Sequence, residues 1–372
     1  MSWIGINPYP PSFASRKARP NMAFDPTDPD GENRDKDTLL VRGTVMFETE
    51  IPDLTQRRVP LLSFQSDIGW RRRFSVDIAG THLGAPSIRL SVVQGDATAT
   101  AALSSSEFGP GARIRVSYTW DAPARRAHLT IQSLDRFAIY QAPVANPLPM
   151  PLADLREIVS IGPATVVEDG IACLAIADHV APICLSSGLM RGNLVATTEG
   201  YRPVERLALG DMLRTAHGGA QPIRWITRTE VPAVGHFAPI RMRAPFFGLS
   251  QDILVAQSHG VLISGPDAEY LFGADMVLVK AQDLTSLHSV QYEPDLPVVT
   301  YYQILLDSHE CIDVAGTWAE SLYIGQLAGA PGVAGTTPLS ALPAAVLPRH
   351  SQTIARALRS YEAASLLSEL TA

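Results

Sequence analysis

The eight residues "RIRVSYTW", 113–120, alternate polar and apolar side chains without a break. Successive side chains of an extended backbone point to opposite faces, so Ile114, Val116, Tyr118 and Trp120 share one face. Arg113, Arg115, Ser117 and Thr119 share the other. A helix would scatter both sets around its circumference, so the run predicts a half-buried strand. After the turn "DAPARR", the segment "AHLTIQ" alternates again through Leu129 and Ile131 and reads as its hairpin partner. "LLVRGTVMFETEI", "RFSVDIAG" and "SIRLSVVQ" follow the same pattern, with Gly, Pro and Ser between them and no convincing helix. Many short strands with turn signals predict a β-sandwich over 39–183.

Within that span "QAPVANPLPMPLADL" carries Pro143, Pro147, Pro149 and Pro151. Proline removes a ladder donor, so no central strand can cross it, and a long surface connection is expected. "EIVSIGPA" and "GIACLAIADHVAPI" then read as a last strand pair returning to the sandwich. Residues 1–38, rich in Pro, Asp and Asn, read as an irregular, solvated segment. Its "DPTDPDGENRDKD" does not fit a calcium loop, because Pro26 falls at the first ligand position.

The chain has 372 residues, enough for two domains. With 46% hydrophobic and 18% charged residues it has the balance of packed domains rather than of disorder. A formal charge of −7 gives no reason to expect nucleic acid as a partner, and Arg71, Arg72 and Arg73 read as a solvated strand end. Prolines interrupt "MSWIGINPYPPSF" too early for the core of a signal peptide, and no apolar run is long enough to span a membrane. The expectation is a chain without membrane contact, cytoplasmic or exported by a signal-independent route. Cys173, Cys184 and Cys311 are odd in number and widely spaced, which favours buried thiols over disulfides or a zinc site.

From 188 to about 327 the apolar runs stay short while turns come closer together, at "TEG", "LGD", "HGG", "SGPDAE" and "AGTW". Residues 328–348, rich in Ala, Gly and Pro, read as a linker. The final "TIARALRSYEAASLLSEL" spaces Ile354, Leu358, Tyr361 and Leu366 at near-helical intervals and predicts a C-terminal helix over 349–372 that caps a domain or, as the alternative, binds a partner.

The stretch "GLMRGNLVATTEG" followed by "RPVERLALGD" places Gly192, Val195, Thr197, Gly200, Pro203, Val204, Glu205, Leu207, Gly210 and Asp211 at set intervals. This run resembles the opening of the Hint fold shared by inteins and hedgehog autoprocessing domains, in its bacterial form outside inteins. "LVAQSHGVLI" is similar to the block that carries Thr-x-x-His in inteins. "YYQILLDSHECIDVAGTWAESL" is similar to the late block that contributes a second histidine. The resemblance implies a Hint domain over 184–327 and an acyl shift, in which the first side chain attacks the carbonyl just before it to form a labile ester or thioester. One histidine then protonates the departing amide, and a neighbouring hydroxyl polarises the carbonyl.

Carried onto this sequence, the nucleophile position is Gly188, which has no side chain to attack with. His259 falls at the first histidine, Ala256 at the missing hydroxyl, His309 at the second histidine, and Gln303 where an aspartate is common. Ser187 is the candidate substitute nucleophile, although a one-residue slip turns every side chain of a strand to the opposite face. Cys184 lies four residues too early. His179, His217 and His236 belong to no constellation.

Residues 39–183 resemble, on "RIRVSYTWDAPARRAHLTIQ" and "LAIADHV", the concanavalin-like jelly-roll sandwiches of laminin G type. That implies a carbohydrate or protein ligand, although Tyr118 and Trp120 read as core. The whole predicts an all-β chain, sandwich then Hint domain then helix, with no metal or organic cofactor. It is expected to be degenerate for self-cleavage. The alternatives are cleavage near Ser187 and Gly188, or a secreted carbohydrate-binding protein.

Overall fold

The computed structural model describes residues 2–8, 38–54, 58–80, 85–136, 138–185, 187–217, 219–293, 296–328, 331–343 and 346–370. The acidic stretch 25–37 lies outside them. The chain divides into two compact units, Met1–Ala181 with Val234–His236, and Pro182–Ala233 with Phe237–Ala372. Among the described residues no helix is long and apolar enough to cross a membrane.

Unit 1 is a β-sandwich. One sheet runs, edge to edge, Trp3–Asn7, Ile171–Ala177, Arg42–Glu50, Arg113–Asp121, Arg126–Ser133 and Ile139–Pro143; the other runs Thr165–Val167, Val59–Ser66, Arg72–Ala79, Ser87–Gln94 and Ala97–Ser104. All neighbours in both sheets are antiparallel. Ile114, Val116, Tyr118 and Trp120 enter one core with Phe47, Phe74 and Leu90 from both sheets. Tyr118 stacks on Trp120 at 5.3 Å, and the indole N–H of Trp120 donates to Leu40 O at 3.0 Å.

Four expectations for this unit change. The irregular segment 1–38 begins with a strand, Trp3–Asn7, paired with Ile171–Ala177, because Trp3 and Ile6 have apolar surface to bury. The connection after Pro151 and the expected strand "EIVSIGPA" become an α-helix, Leu152–Ser160, whose Leu152, Leu155, Ile158 and Val159 recur at helical spacing on the buried side. Thr165–Val167 is the strand that follows. Arg71 is exposed, but Arg72 turns toward Asp154, with Nε 3.4 Å from Oδ2. Lastly, the polar face of Arg113–Asp121 is itself partly buried. Arg115 Nε and Nη2 donate to Glu48 Oε1 at 2.9 and 2.6 Å, which neutralises a charge that burial alone would expel.

Unit 2 is built from two sheets around a second core. The six-stranded sheet runs Trp225–Pro232, Val298–Leu305, Leu189–Met190, Ile253–Val255, Ile240–Met242 and Val290–Tyr292. In the nine-stranded sheet, Ala220–Pro222, Met212–Arg214, Leu194–Thr197, Cys311–Val314, Thr317–Glu320, Gly260–Ser264, Met276–Lys280 and Arg356–Ala357 follow one another, and Gly200–Pro203 pairs with Leu194–Thr197. Val195, Val255, Val261, Val279 and Ile312 meet in its core.

The segment expected to be a linker holds helical turns at Gly325–Ala328, Pro331–Ala334 and Pro338–Ala341, and Leu339 is buried. The C-terminal helix is shorter than its periodicity suggested, spanning Ser360–Leu370. Ile354 and Leu358 precede it, flanking a strand Arg356–Ala357 that pairs in parallel with Met276–Lys280. The helix begins where the Glu362 carboxylate accepts the N–H of Arg359 at 2.8 Å. Its buried stripe is Ala363, Leu366 and Leu367, whereas Tyr361 is 64% exposed.

Candidate functional site

The glycines of the opening motif sit where only glycine is at ease. Gly192, Gly200 and Gly210 have φ of 91°, 118° and 90°, a region in which a Cβ is strained. The polar residues between them tie the turns together. Glu205 accepts the N–H of Gly192 at 2.9 Å, and Asp211 accepts that of Ala208 at 2.9 Å. Asn193 clamps the neighbouring strand with both ends of its amide, accepting Leu254 N–H at 3.1 Å and donating to Leu254 O at 2.7 Å.

That clamp delivers Ala256 to the start of the unit. Ala256 N–H donates to Gly188 O at 2.9 Å, and His259 N–H donates to Ala256 O at 3.0 Å, closing the turn that carries the histidine. The N–H of Gly188 in turn donates to His259 Nδ1 at 3.1 Å. His259 is only 2% exposed, so Nδ1 is unprotonated and the ring's remaining proton stands on Nε2. The amide nitrogen that an acyl shift would expel is therefore the one held by the predicted histidine.

Gly188 is glycine for a spatial reason as well. A Cβ built there would lie 2.8 Å from Tyr301 Cβ and 3.2 Å from its Cγ. Tyr301 is fixed by its hydroxyl, which donates to Phe237 O at 2.9 Å. No nucleophile can stand at this position without moving a buried ring.

Ser187, Gly188, His259, Gln303 and Glu320 line one cavity of about 10 Å³, roughly the room a single water needs. Gln303 is buried; its amide donates to Leu185 O at 3.4 Å and accepts from the Thr229 hydroxyl at 3.4 Å. Ala256 reaches the site through its backbone, and no hydroxyl stands at that position. His309 stands behind Glu320, with Nε2 3.6 Å from Oε2, an electrostatic contact longer than a hydrogen bond. Cys184 donates its S–H to Leu185 O at 3.3 Å and is not part of the cavity lining. His179 pairs with Asp178, and His217, which does not line the cavity, pairs with Glu310.

Glu320 and Tyr301 are the site residues that sequence reasoning missed. Glu320 ends the strand Thr317–Glu320, on the face opposite to Thr317 and Ala319, where nothing in the local pattern marked it. Its Oε1 accepts the N–H of Gly260 at 2.7 Å. Burial works to push the Glu320 carboxyl up, but the facing His309, the charge of His259 and the Gly260 N–H together hold it below the usual carboxylate range. Burial pushes His259 down, with Glu320 opposing and His309 reinforcing. Near neutral pH the cavity therefore joins a neutral imidazole to an ionised carboxylate. Among the described residues no group of three or more His, Cys, Asp or Glu side chains is arranged to hold a metal ion.

The family model of the Hint domain matches residues 161–326, so this stretch of the chain is a Hint domain. The match opens at Ile161, ahead of the unit boundary at Pro182. No curated protein sequence matches the chain. Among solved structures, two crystal structures of the MchDnaB-1 intein are 13% identical to it. They cover 36% of this chain and 99% of theirs, at TM-scores of 0.24 and 0.25. A sheep galectin-11 complex with glycerol is 11% identical, covering 37% of this chain and 81% of that one, at a TM-score of 0.21.

Proposed function

We propose that the Hint domain of this protein has kept its amide-holding scaffold and lost its first chemical step, and that it serves with the sandwich as a non-cleaving binding or display module. The support is one constellation: the amide is held by His259 at 3.1 Å, while the residue that should attack is Gly188, with Tyr301 in the space of a Cβ. The polarising hydroxyl is absent at Ala256, and Gln303 offers an amide where a carboxylate would serve. An acyl shift begins with a nucleophile on the side chain of the residue whose nitrogen leaves, and Gly188 supplies none.

Self-cleavage through Ser187 is the second reading, favoured by the place of Ser187 in the cavity wall. Its hydroxyl would attack the carbonyl of residue 186 and break the bond between 186 and 187. The nitrogen held by His259 belongs to the next bond along. Attack and leaving-group protonation would then act on different amides, which is why the non-cleaving reading is preferred.

For the sandwich we propose a carbohydrate or protein ligand, as its concanavalin-like and laminin G-like sequence pattern implies. Tyr118 and Trp120 are core residues, so stacking on a sugar would fall to Trp70, which is 46% exposed beside Gln94 and Arg72. A glycan array probed with the full chain and with Trp70→Ala tests this, and a silent array removes the carbohydrate reading.

The deciding experiment for the Hint domain is the intact mass of freshly purified chain, incubated with and without dithiothreitol and hydroxylamine. The expected result is an undivided 40.1 kDa chain in every condition. Two fragments joined near Ser187 and Gly188 would overturn the proposal.

A further inference from the structure

Three buried histidines of unit 2 do the same task. His259 Nδ1 accepts the N–H of Gly188 at 3.1 Å, His309 Nδ1 that of Ile354 at 3.1 Å, and His350 Nδ1 that of Ile324 at 3.3 Å. Each imidazole thus satisfies a backbone donor on a segment distant in sequence, and each can do so only while Nδ1 carries no proton. The held segments are the opening strand at Gly188 and two points of the chain's last fifth, on either side of the short helical turns.

The other ring nitrogens define the surroundings. His350 Nε2 donates to Leu306 O at 3.1 Å. His309 Nε2 faces Glu320, and His259 Nε2 is buried with no hydrogen-bond partner. The His309 ring packs edge-on to Tyr323 at 5.3 Å and lies 6.3 Å from His350, which stacks on Tyr323 at 5.9 Å. The charged groups acting on the set are Glu320 on His259 and His309, Asp307 on His350, and the histidines on one another. Asp307 is already engaged by Arg224 at 2.7 Å, which leaves Glu320 as the carboxylate among the rings.

We infer that His259 and His350 form an acid-sensitive latch: protonation at Nδ1 strips their backbone hydrogen bonds and loosens the opening strand at Gly188 and the C-terminal segment at Ile324. The Ser360–Leu370 helix and the core strands, held by apolar burial, stay in place. Burial lowers the proton affinity of His259 and His350 below that of a free histidine, so the latch is closed at neutral pH and opens on acidification. This holds whether or not the chain cleaves itself.

Amide hydrogen exchange on the full chain between about pH 8 and about pH 5 tests it, expressed as protection factors so that the intrinsic pH dependence of exchange is removed. Protection at Gly188 and Ile324 is expected to fall by up to about tenfold per pH unit for each proton taken up, while the strand Trp225–Pro232 keeps its protection. Unchanged protection at the two amides overturns the proposal, as does a loss shared equally by Trp225–Pro232, which is global unfolding. Glu320→Gln is expected to move the loss at Gly188 to lower pH, because the carboxylate favours the protonated ring. An unmoved profile in that variant would remove Glu320 from the latch.

Discussion

The Cβ that Gly188 lacks would stand 2.8 Å from the Cβ of Tyr301. Carbon atoms do not approach so closely, and Tyr301 Cβ is held by its own backbone rather than lying at the end of a flexible chain. Glycine and tyrosine are therefore a matched pair, and restoring a nucleophile is a problem of space before it is one of chemistry. Gly188→Cys is predicted to cost about 1–3 kcal/mol of stability and to leave the chain whole in thiol. Combined with Tyr301→Gly, which removes that Cβ, the two changes should cost less than the sum of the single variants by about 1 kcal/mol or more, a coupling read from urea melts of the double-mutant cycle. Strict additivity would contradict the steric account.

His259→Ala removes the acceptor from a buried N–H as well as a packed ring. Leaving the Gly188 amide unpaired costs about 1–3 kcal/mol, with the lost packing added. His259→Gln, which can still offer an oxygen, should recover part of that loss. Chemical denaturation of the three proteins checks the order, and an alanine variant as stable as the glutamine variant would contradict it.

Two sets of buried groups, one in each unit, are predicted to respond to pH in opposite senses. In unit 2 the depressed His259 and His350 give stability that is fully present above 6.5 and lost as the pH falls toward their folded values, at up to about 1.4 kcal/mol per pH unit for each group. Glu320, also depressed, gives stability present above 4.5 and lost below it. In unit 1, burial outweighs Arg72 and pushes Asp154 up to about 6. Its folded form therefore binds the proton more tightly, and that contribution is lost as the pH rises from 3.8 to about 6. Asp154→Asn and His350→Gln should each remove its own contribution from hydrogen exchange resolved by unit between about pH 4 and about pH 8; a variant with an unchanged pH profile would refute the assignment of that group.

The Glu48–Arg115 pair is buried on both sides, with side chains 4% and 5% exposed. Arg115→Met leaves the Glu48 carboxylate uncompensated and is predicted to cost about 3–5 kcal/mol. Adding Glu48→Gln should recover most of that, because the isolated charge is what is expensive. A double variant no more stable than Arg115→Met, by thermal or urea melting, would show that shape rather than charge dominates there.

Much of this protein was legible from its residues. Strict alternation in "RIRVSYTW" determined a strand and its inward face, since period two admits no other regular structure. The glycines at 192, 200 and 210 declared turns that a Cβ would strain, and with "RPVERLALGD" they indicated the Hint domain and located Gly188 and His259. What the residues left undecided depended on contacts between distant segments. The helix Leu152–Ser160 was hidden by its prolines until the sandwich core took up its apolar side, and Arg356–Ala357 became a strand only because Met276–Lys280 had a free edge. Tyr301 and Glu320 carry no local mark of their roles. One lies 113 positions from Gly188 and the other 61 from His259, and only the folding of two sheets against one core brings a blocking ring to the glycine and a carboxylate between the histidines. Local backbone preference is written in neighbouring residues, whereas steric exclusion and the pairing of buried charges arise from tertiary packing.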